Sequence, residues 1–454
     1  MSADLILDPV RERILDGMRS LPLEEIYEVG GSLRDGLLGR QAKDVDFLVR
    51  GRDIDELIAL LRRFGPADEL RVAGRLVGVR FRPSFGPKEG IEVVPPRRET
   101  PIRPGEEGYT GNPHTDFRIE PDPQLSVRDD LERRDFTVNA MAREIRTDVW
   151  IDPFGGRTDL AAGILRAVHP TAFRDDPLRV LRGVARCAID GLVPDPATRA
   201  LMVAESPRIA ELSAERVRDT IDQTLMGEAA ADGLRFAREI GALAAALPEW
   251  QACVGVPQRS STQAYTVDEH ILHVLEQAVL ERGSLVLRLA ALWHDVGKAF
   301  ADGPVSHAEE SARIADRALR RLAYDNDTRL AVVQSVREHP YDEERDPTPA
   351  SARRFLARVG REAAPDLLAL RRCDRLGRGF DPQPEDVARR GRFEALVAAE
   401  WNSPVTRAEL AVSGDDLLAA GVSAGPALGR LLALLLDYVV EDPSRNTPAE
   451  LLRQ

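Results

Sequence analysis

The sequence predicts an α+β protein: an α/β head over residues 1–160, followed by helices almost to the last residue. Three observations carry this. Up to about Asp159, short apolar runs bounded by turn residues alternate with helical segments. Beyond Asp159, Leu, Ala and Arg recur at the three- and four-residue spacing of a helix face. The composition is that of an ordinary folded chain, 43% hydrophobic and 30% charged over 454 residues, which is enough for several domains.

Each element follows in order. Ile26–Gly31 (IYEVGG), Asp44–Val49 (DVDFLV), Leu76–Phe81 (LVGVRF) and Gly90–Val94 (GIEVV) read as strands. Leu33–Leu38 (LRDGLL) and Asp130–Ile145 (DLERRDFTVNAMAREI) read as helix or helix start. Pro and Gly thicken after Pro83, and residues 95–123 read as a long mobile loop, a feature that inside a domain is usually functional or disordered. The helical remainder breaks near Gly191–Asp195, Gly227–Gly233, Val254–Gln263, Asp302–Pro304, Tyr341–Ala350 and Phe380–Gln383. We divide it into a neck, 161–226, and a body, 227–454.

Several classes are excluded. No apolar run approaches the ~20 residues of a membrane span. The longest, Ala427–Val440, is broken by Arg430 and Asp437. The opening MSADLILDPVRERI has acids where a secretion leader has bases, so a cytoplasmic protein with no membrane partner is expected. Cys187, Cys253 and Cys373 lie far apart and read as reduced thiols with no cysteine-based zinc site. A net charge of −13 argues against a surface coated for nonspecific nucleic-acid binding. A local exception is residues 353–392, with eleven Arg against six acids, a stretch suited to RNA phosphates or simply to a solvated helix face.

The chemistry begins at Val29-Gly30-Gly31-Ser32-Leu33-Arg34-Asp35. Two glycines between a strand and a helix let backbone N–H groups approach phosphate oxygens, and Arg34 adds a guanidinium fork. Next come Asp44 and Asp46, two apart on an apparent strand and therefore on one face. Two neighbouring carboxylates suit Mg²⁺, which pairs one or two carboxylates with substrate phosphates. Glu92 is the first candidate for a third carboxylate and Glu99 the second. Arg133-Arg134-Asp135-Phe136-Thr137-Val138-Asn139 carries groups that read ribose and phosphate. Asp176, Arg179 and Arg182 recur every three residues, so they share one helix face that can accept from and donate to a base edge.

In the body, five of the seven histidines (all but His114 and His169) fall between His270 and His339. His270, His294-Asp295, His307, His339 and Asp374 sit on successive helical segments, the arrangement from which helix bundles build metal centres. His273 receives no role.

GGSLRD, DVDFLV, RRDFTVNA, DPFGG and DDPLRVLR, in this order, resemble the bacterial class II tRNA nucleotidyltransferase/poly(A) polymerase family over roughly residues 20–225. The resemblance implies a polymerase β-like nucleotidyltransferase head. It also implies addition of CCA, or its terminal A, to tRNA 3′ ends from CTP and ATP. It assigns Asp44 and Asp46 to Mg²⁺, Gly30, Gly31 and Arg34 to the triphosphate, and Arg134, Asp135 and Asn139 to the ribose region. Asp176 and Arg179 become the protein template for C and A, with Arg182 nearby. One departure stands out: LRGVARCA replaces the usual LRAVRFA, so Ala185 occupies a common arginine position and Arg186 comes one place late. The presence of the 95–123 segment, shortened in relatives that add only CC, favours full CCA or A addition. Residues 260–380 resemble the HD phosphohydrolase domain. By that resemblance His270, His294, Asp295 and Asp374 are the core divalent-metal ligands, and His307 and His339 the extra pair of two-metal versions. Two other readings remain: a poly(A) polymerase, and an HD phosphohydrolase whose head is an inactive RNA-binding module. Against the first, GRLVGVRF does not match the Gly-Arg-Arg-Phe-type stretch of poly(A) polymerases.

Overall fold

The computed structural model describes residues 8–454 except 42–43, 73, 104, 108, 111–116, 259–263, 301–305 and 342–345. Lys43 and His114 lie outside the described residues. The chain forms two compact units, 1–246 and 247–454.

Among its described residues, the first unit opens with nine strands: β1 Glu25–Val29, β2 Asp46–Arg50, β3 Ala67–Val72, β4 Arg75–Phe81, β5 Ile91–Val94, β6 Arg97–Pro101, β7 Phe117–Pro121, β8 Ala142–Glu144 and β9 Trp150–Ile151. Seven form one mixed sheet in the order β3-β4-β5-β2-β1-β8-β9, in which only β2 and β5 run parallel. Strand alternation divides the side chains between two faces. Ile26, Phe47, Val49, Ile91 and Val93 enter one core, covered by Ile14, Leu15 and Met18 of helix Pro9–Arg19 and by Leu57 and Leu61 of helix Ile54–Leu61. Tyr27, Val29 and Leu48 face the other side, against Val127 and Leu131 of helix Val127–Glu132, with Val94 packed on this cluster. Glu28, on the first face, is fully buried and forms a two-pronged ion pair with Arg11 (2.7 and 2.5 Å). Removing one partner would strand a buried charge, at a cost of about 3–5 kcal/mol.

Three expectations are corrected. The strand carrying the acidic pair begins at Asp46, so exposed Asp44 lies just before it. Asp130–Ile145 is not one helix: it leaves helix Val127–Glu132, makes a short turn at Thr137–Asn139 and ends as β8. Asp135 to Ala142 are buried without a break, so this segment has no exposed helix face and runs through the core into β8, between β1 and β9. Within the expected 95–123 loop, β6 and β7 pair as an antiparallel hairpin, Arg97 opposite Pro121 through Pro101 opposite Phe117. Its Pro and Gly content hid a two-stranded ribbon whose half-buried face mixes Pro101, Phe117, Ile119 and Pro121 with Arg97 and Glu99.

After this sheet the chain is helical, apart from the two-residue pairing of Ile164–Leu165 with Val193–Pro194. Helix Leu178–Asp190 packs with helices Ala214–Leu225 and Ala230–Glu239. The second unit carries helices Val267–Leu280, Leu285–Trp293, His307–Arg321, Asn326–Glu338 and Ala364–Leu376 around one buried centre. A second cluster, with Tyr341, Phe355 and Phe393 in mutual ring contact, joins helices Pro349–Val359 and Pro384–Ala399. The three cysteines are unpaired, and burial pushes each thiol up to about 12, so they are poor nucleophiles. No described helix is long and apolar enough to cross a membrane.

Two candidate active sites

The first site is a cleft of about 390 Å³ in the first unit. Gly30, Gly31, Arg34, Asp46, Glu92, Arg134, Asp135, Asn139, Asp176, Arg179 and Arg182 all line it, so one wall gathers what the sequence spreads over 150 positions. Asp46 and Glu92 come together because β2 and β5 are parallel neighbours, with Phe47 opposite Val93, so both acids sit one step earlier on the same face. Asp44 joins them in an adjoining cavity that Asp46 and Glu92 also line. Burial and then the Glu92 carboxylate push the Asp46 carboxyl up to about 6. That mutual repulsion is what a divalent cation relieves, so these residues fit the metal expected of the fold. Glu92 also pairs with Arg80 (2.7 Å), and Glu99 lines the cleft within a denser set of cations. Glu99 accepts from Arg97 (2.8 Å) and Arg133 (2.7 Å), in a network with buried Asp130.

The strand-to-helix turn is shaped for close approach. Gly30 has φ +81°, and a Cβ there would sit 2.7 Å from Arg134 Nη1, so glycine lets this guanidinium cross the loop. Arg34 Nη1 donates to Asn139 Oδ1 (2.5 Å), and Asn139 Nδ2 donates to Asp135 Oδ1 (2.9 Å). Arg182 Nη2 lies 2.7 Å from Asp135 Oδ2. Burial would raise the Asp135 carboxyl, but the Arg182 charge and the Asn139 hydrogen bond outweigh it and hold the group well below the usual carboxylate range. Arg179 Nη2 donates to the Arg133 carbonyl (2.8 Å). Asp176 is not on the helix face with Arg179 and Arg182. It lies in extended backbone before helix Leu178–Asp190, yet reaches the same cleft. Ala185 is fully buried, so its position does not face the cleft, and Arg186 pairs with Asp190 (3.0 Å). Sequence reasoning missed Arg216, 3.1 Å from Asp176. No motif marks an arginine forty residues away on another helix.

The second site lies in the second unit and is closed. His270, His294 and Asp374 can share one cation, and Asp295, His307 and His339 another. His270 and His294 are fully buried, and Asp295, His339 and Asp374 nearly so. His270 Nδ1 contacts the Gly377 carbonyl (3.1 Å), His294 Nδ1 that of Ala291 (2.8 Å) and His339 Nδ1 that of Val336 (2.7 Å). A carbonyl only accepts, so these contacts place the proton on Nδ1 and turn Nε2 inward, the pinning typical of metal-bound imidazoles. His270 Nε2 and His294 Nε2 then face each other at 3.3 Å, and Asp295 Oδ1 is buried without a hydrogen bond. Two imidazole Nε2 atoms turned toward each other beside an orphaned carboxylate oxygen fit a cation, which would displace the proton that His270 otherwise shares with Asp295 and Asp374. Burial would depress His270, but hydrogen bonds to Asp295 and Asp374 raise it to about 9. Burial and then the His294 charge bring His339 down to about 3. Lys298 Nζ lies 2.6 Å from Asp295 Oδ2 and donates to Gln258 Oε1 (3.1 Å), a contact the sequence left unassigned. Gly297 lets the next helix close over the centre, since a Cβ there would meet the His307 carbonyl at 2.3 Å. His273 stacks on Tyr265 and bonds Glu276, outside the cluster.

Residues 26–166 match the family described as the Poly A polymerase head domain, residues 191–253 the Probable RNA and SrmB- binding site of polymerase A, and residues 267–379 the HD domain. A multifunctional CCA protein of Azoarcus sp. (strain BH72) is 35% identical over 82% of this chain and 88% of its own length. One of Xanthomonas campestris pv. campestris is 34% identical over 90% and 96%. The chain belongs to the multifunctional CCA protein family. It is a nucleotidyltransferase with an attached HD domain, and both domain types use divalent metals. The fold agrees with a Bacillus stearothermophilus CCA-adding enzyme solved in complex with CTP, at a TM-score of 0.70 and 23% identity over 98% of this chain and 97% of that one.

In this CCA protein family member the arginine-rich stretch is largely self-neutralised. Arg353 pairs with Glu400, Arg354 with Glu441, Arg358 with Glu338, Arg361 with Glu409 and Arg372 with Glu281 and Glu394. The excess of cations along the sequence is therefore not an equal excess in space. The acids that balance it come from helices and turns outside the stretch.

Proposed function

We propose that this chain adds C, C and A, or the terminal A, to tRNA 3′ ends from CTP and ATP at the cleft of the first unit. The carrying observation is that the glycine turn, the acidic trio and the Asp176/Arg179 pair open into adjoining walls of one cavity system. In this reading Asp176 accepts from the exocyclic amine of cytosine or adenine, and Arg179, held by the Arg133 carbonyl, donates to the ring edge. Asp135, fixed by Arg182 and Asn139, orients the ribose, and Arg34 with the Gly30–Gly31 backbone receives the triphosphate. Asp44, Asp46 and Glu92 would hold Mg²⁺, which when bound would supply activation of the acceptor hydroxyl and screening of the triphosphate. Residues 1–160 are then the catalytic head, 161–226 the base- and RNA-binding neck, and 227–454 the body. The six-residue cluster there acts as a cytoplasmic phosphohydrolase centre, with a divalent ion held by His270, His294, Asp295 and Asp374.

The test is extension of three tRNA transcripts, ending before CCA, after C and after CC, with CTP and ATP separately and together. Complete CCA on the shortest transcript is the expected result. A alone, on the CC-ended transcript only, restricts the enzyme to terminal A addition. Long A tracts on any RNA make it a poly(A) polymerase. No incorporation leaves the HD domain as the active half.

A further inference from the structure

Under the proposed reading, the orientation of Asp176 decides which base the cleft accepts. Asp176 sits in extended backbone (φ −137°, ψ 103°) between two helices, so no helix holds its side chain in place. Two donors do. The Leu178 N–H donates to Oδ1 (3.1 Å), and Arg216 Nη2 donates to Oδ2 (3.1 Å). Both side chains of the pair are 18% exposed, so the contact is largely shielded from water. Arg216 rises from helix Ala214–Leu225 and borders a second cavity of about 390 Å³, whose wall also includes Arg34, Asp135, Asn139 and Arg182. Its Nη1 is buried and makes no hydrogen bond, and among the described residues its ion pair is with Asp176.

We infer that Arg216 is a specificity-determining positioning residue, which clamps the Asp176 carboxylate from behind so that its remaining lone pairs face the incoming base. The inference rests on the reading of Asp176 as the base-reading group. Cytosine and adenine share an exocyclic amine, a donor; uracil and guanine carry a carbonyl oxygen at that place. A carboxylate tied at both oxygens accepts from the amine and repels the carbonyl. Released from Arg216, it turns about a broad terminal torsion and loses the fixed direction on which that discrimination depends.

The experiment measures kcat/KM for CTP, UTP, ATP and GTP, each alone, on tRNA transcripts ending after C and after CC. In Arg216→Ala the CTP/UTP and ATP/GTP ratios fall by about tenfold to a hundredfold, the loss expected for a charge-assisted hydrogen bond. Arg216→Lys restores part of that loss, and the melting temperature of both variants stays near wild type. A uniform fall in kcat for all four nucleotides, with the ratios unchanged, overturns the inference and leaves Arg216 a structural residue. Asp176→Ala separates the two levels. If its ratios equal wild type, the reading of Asp176 is wrong; if they collapse while those of Arg216→Ala hold, only the role of Arg216 is wrong. Should Arg216→Ala not fold, Arg216→Gln, which keeps amide donors without the charge, carries the same comparison.

Discussion

The two sites solve the problem of gathering ligands in opposite ways. In the first unit the acids come from adjacent strands, where a period of two places Asp46 and Glu92 side by side and leaves them partly open. In the second unit the ligands lie on or at the ends of helices between His270 and Asp374, and all but half-buried His307 are almost fully buried. The open site suits a large, changing substrate, because its arginines and most of its acids are held by neighbours while the raised Asp46 carboxyl is left to a cation. The closed site is preorganised: three backbone carbonyls fix three imidazoles before any ion arrives. The lesson is that the cleft must be completed by its substrate, whereas the helical centre is complete with its metal.

The strongest way to break this comparison is reciprocal inactivation. Asp46→Ala is expected to lower nucleotide incorporation by on the order of a thousandfold or more, since the charge that holds the metal is lost. If the HD centre is the phosphohydrolase proposed above, hydrolysis of a phosphodiester substrate by the same variant should not change. His294→Ala combined with Asp295→Ala should abolish that hydrolysis and leave incorporation at wild-type rate. Loss of both activities in either variant would mean that the two sites are not separate.

A smaller effect sharpens the acidic trio. Glu92→Gln should lower kcat for incorporation by about a hundredfold, with the melting temperature nearly unchanged, because Glu92 shares the face and the field of Asp46. Glu99→Gln should do the reverse. It keeps an acceptor oxygen but removes the charge that Arg97 and Arg133 share, so stability falls by about 1–3 kcal/mol and kcat by only a few-fold. If Glu99→Gln proves the more damaging to kcat, the third carboxylate has been assigned to the wrong strand.

How much of this was legible beforehand depended on the range of the signal. β1, β2, β4 and β5 were readable because their apolar runs fill two cores, and every proposed cleft residue does line the cleft or its neighbour. β3 (ADELRV) and the hairpin β6–β7 were not, since charged residues on an edge strand or a two-stranded ribbon bury too little to leave a periodic mark. Asp176 was placed on the right surface for a partly wrong reason: it precedes the helix rather than riding on it. The Arg216 clamp and the Lys298–Gln258 contact are long-range pairings that no local pattern announces. The ion pairs of the arginine-rich stretch were hidden for the same reason.

The last prediction concerns what the open cleft costs in the absence of a cation. Burial and Glu92 push the Asp46 carboxyl from the ordinary 3.8 up to about 6, so the folded protein favours its protonated form more than the unfolded chain does. For a carboxyl raised in this way the linkage is destabilising: the penalty is absent below about pH 4, grows between pH 4 and 6, and is full above pH 6. In the presence of a chelator, Asp46→Asn should therefore be more stable than wild type at pH 7.5, by about 1–2 kcal/mol after allowance for partial exposure. The advantage should shrink as the pH is lowered through 6 and vanish near 4. Added Mg²⁺ should reverse the order at pH 7.5, because only the wild type gains binding energy from the ion. Melting curves of both proteins, with and without Mg²⁺ across this range, make the check. An Asp46→Asn variant that is less stable than wild type at pH 7.5 without metal would show that Asp46 is held by partners of its own, and that the open site is as complete without its ligands as the helical one is built to be with its metal.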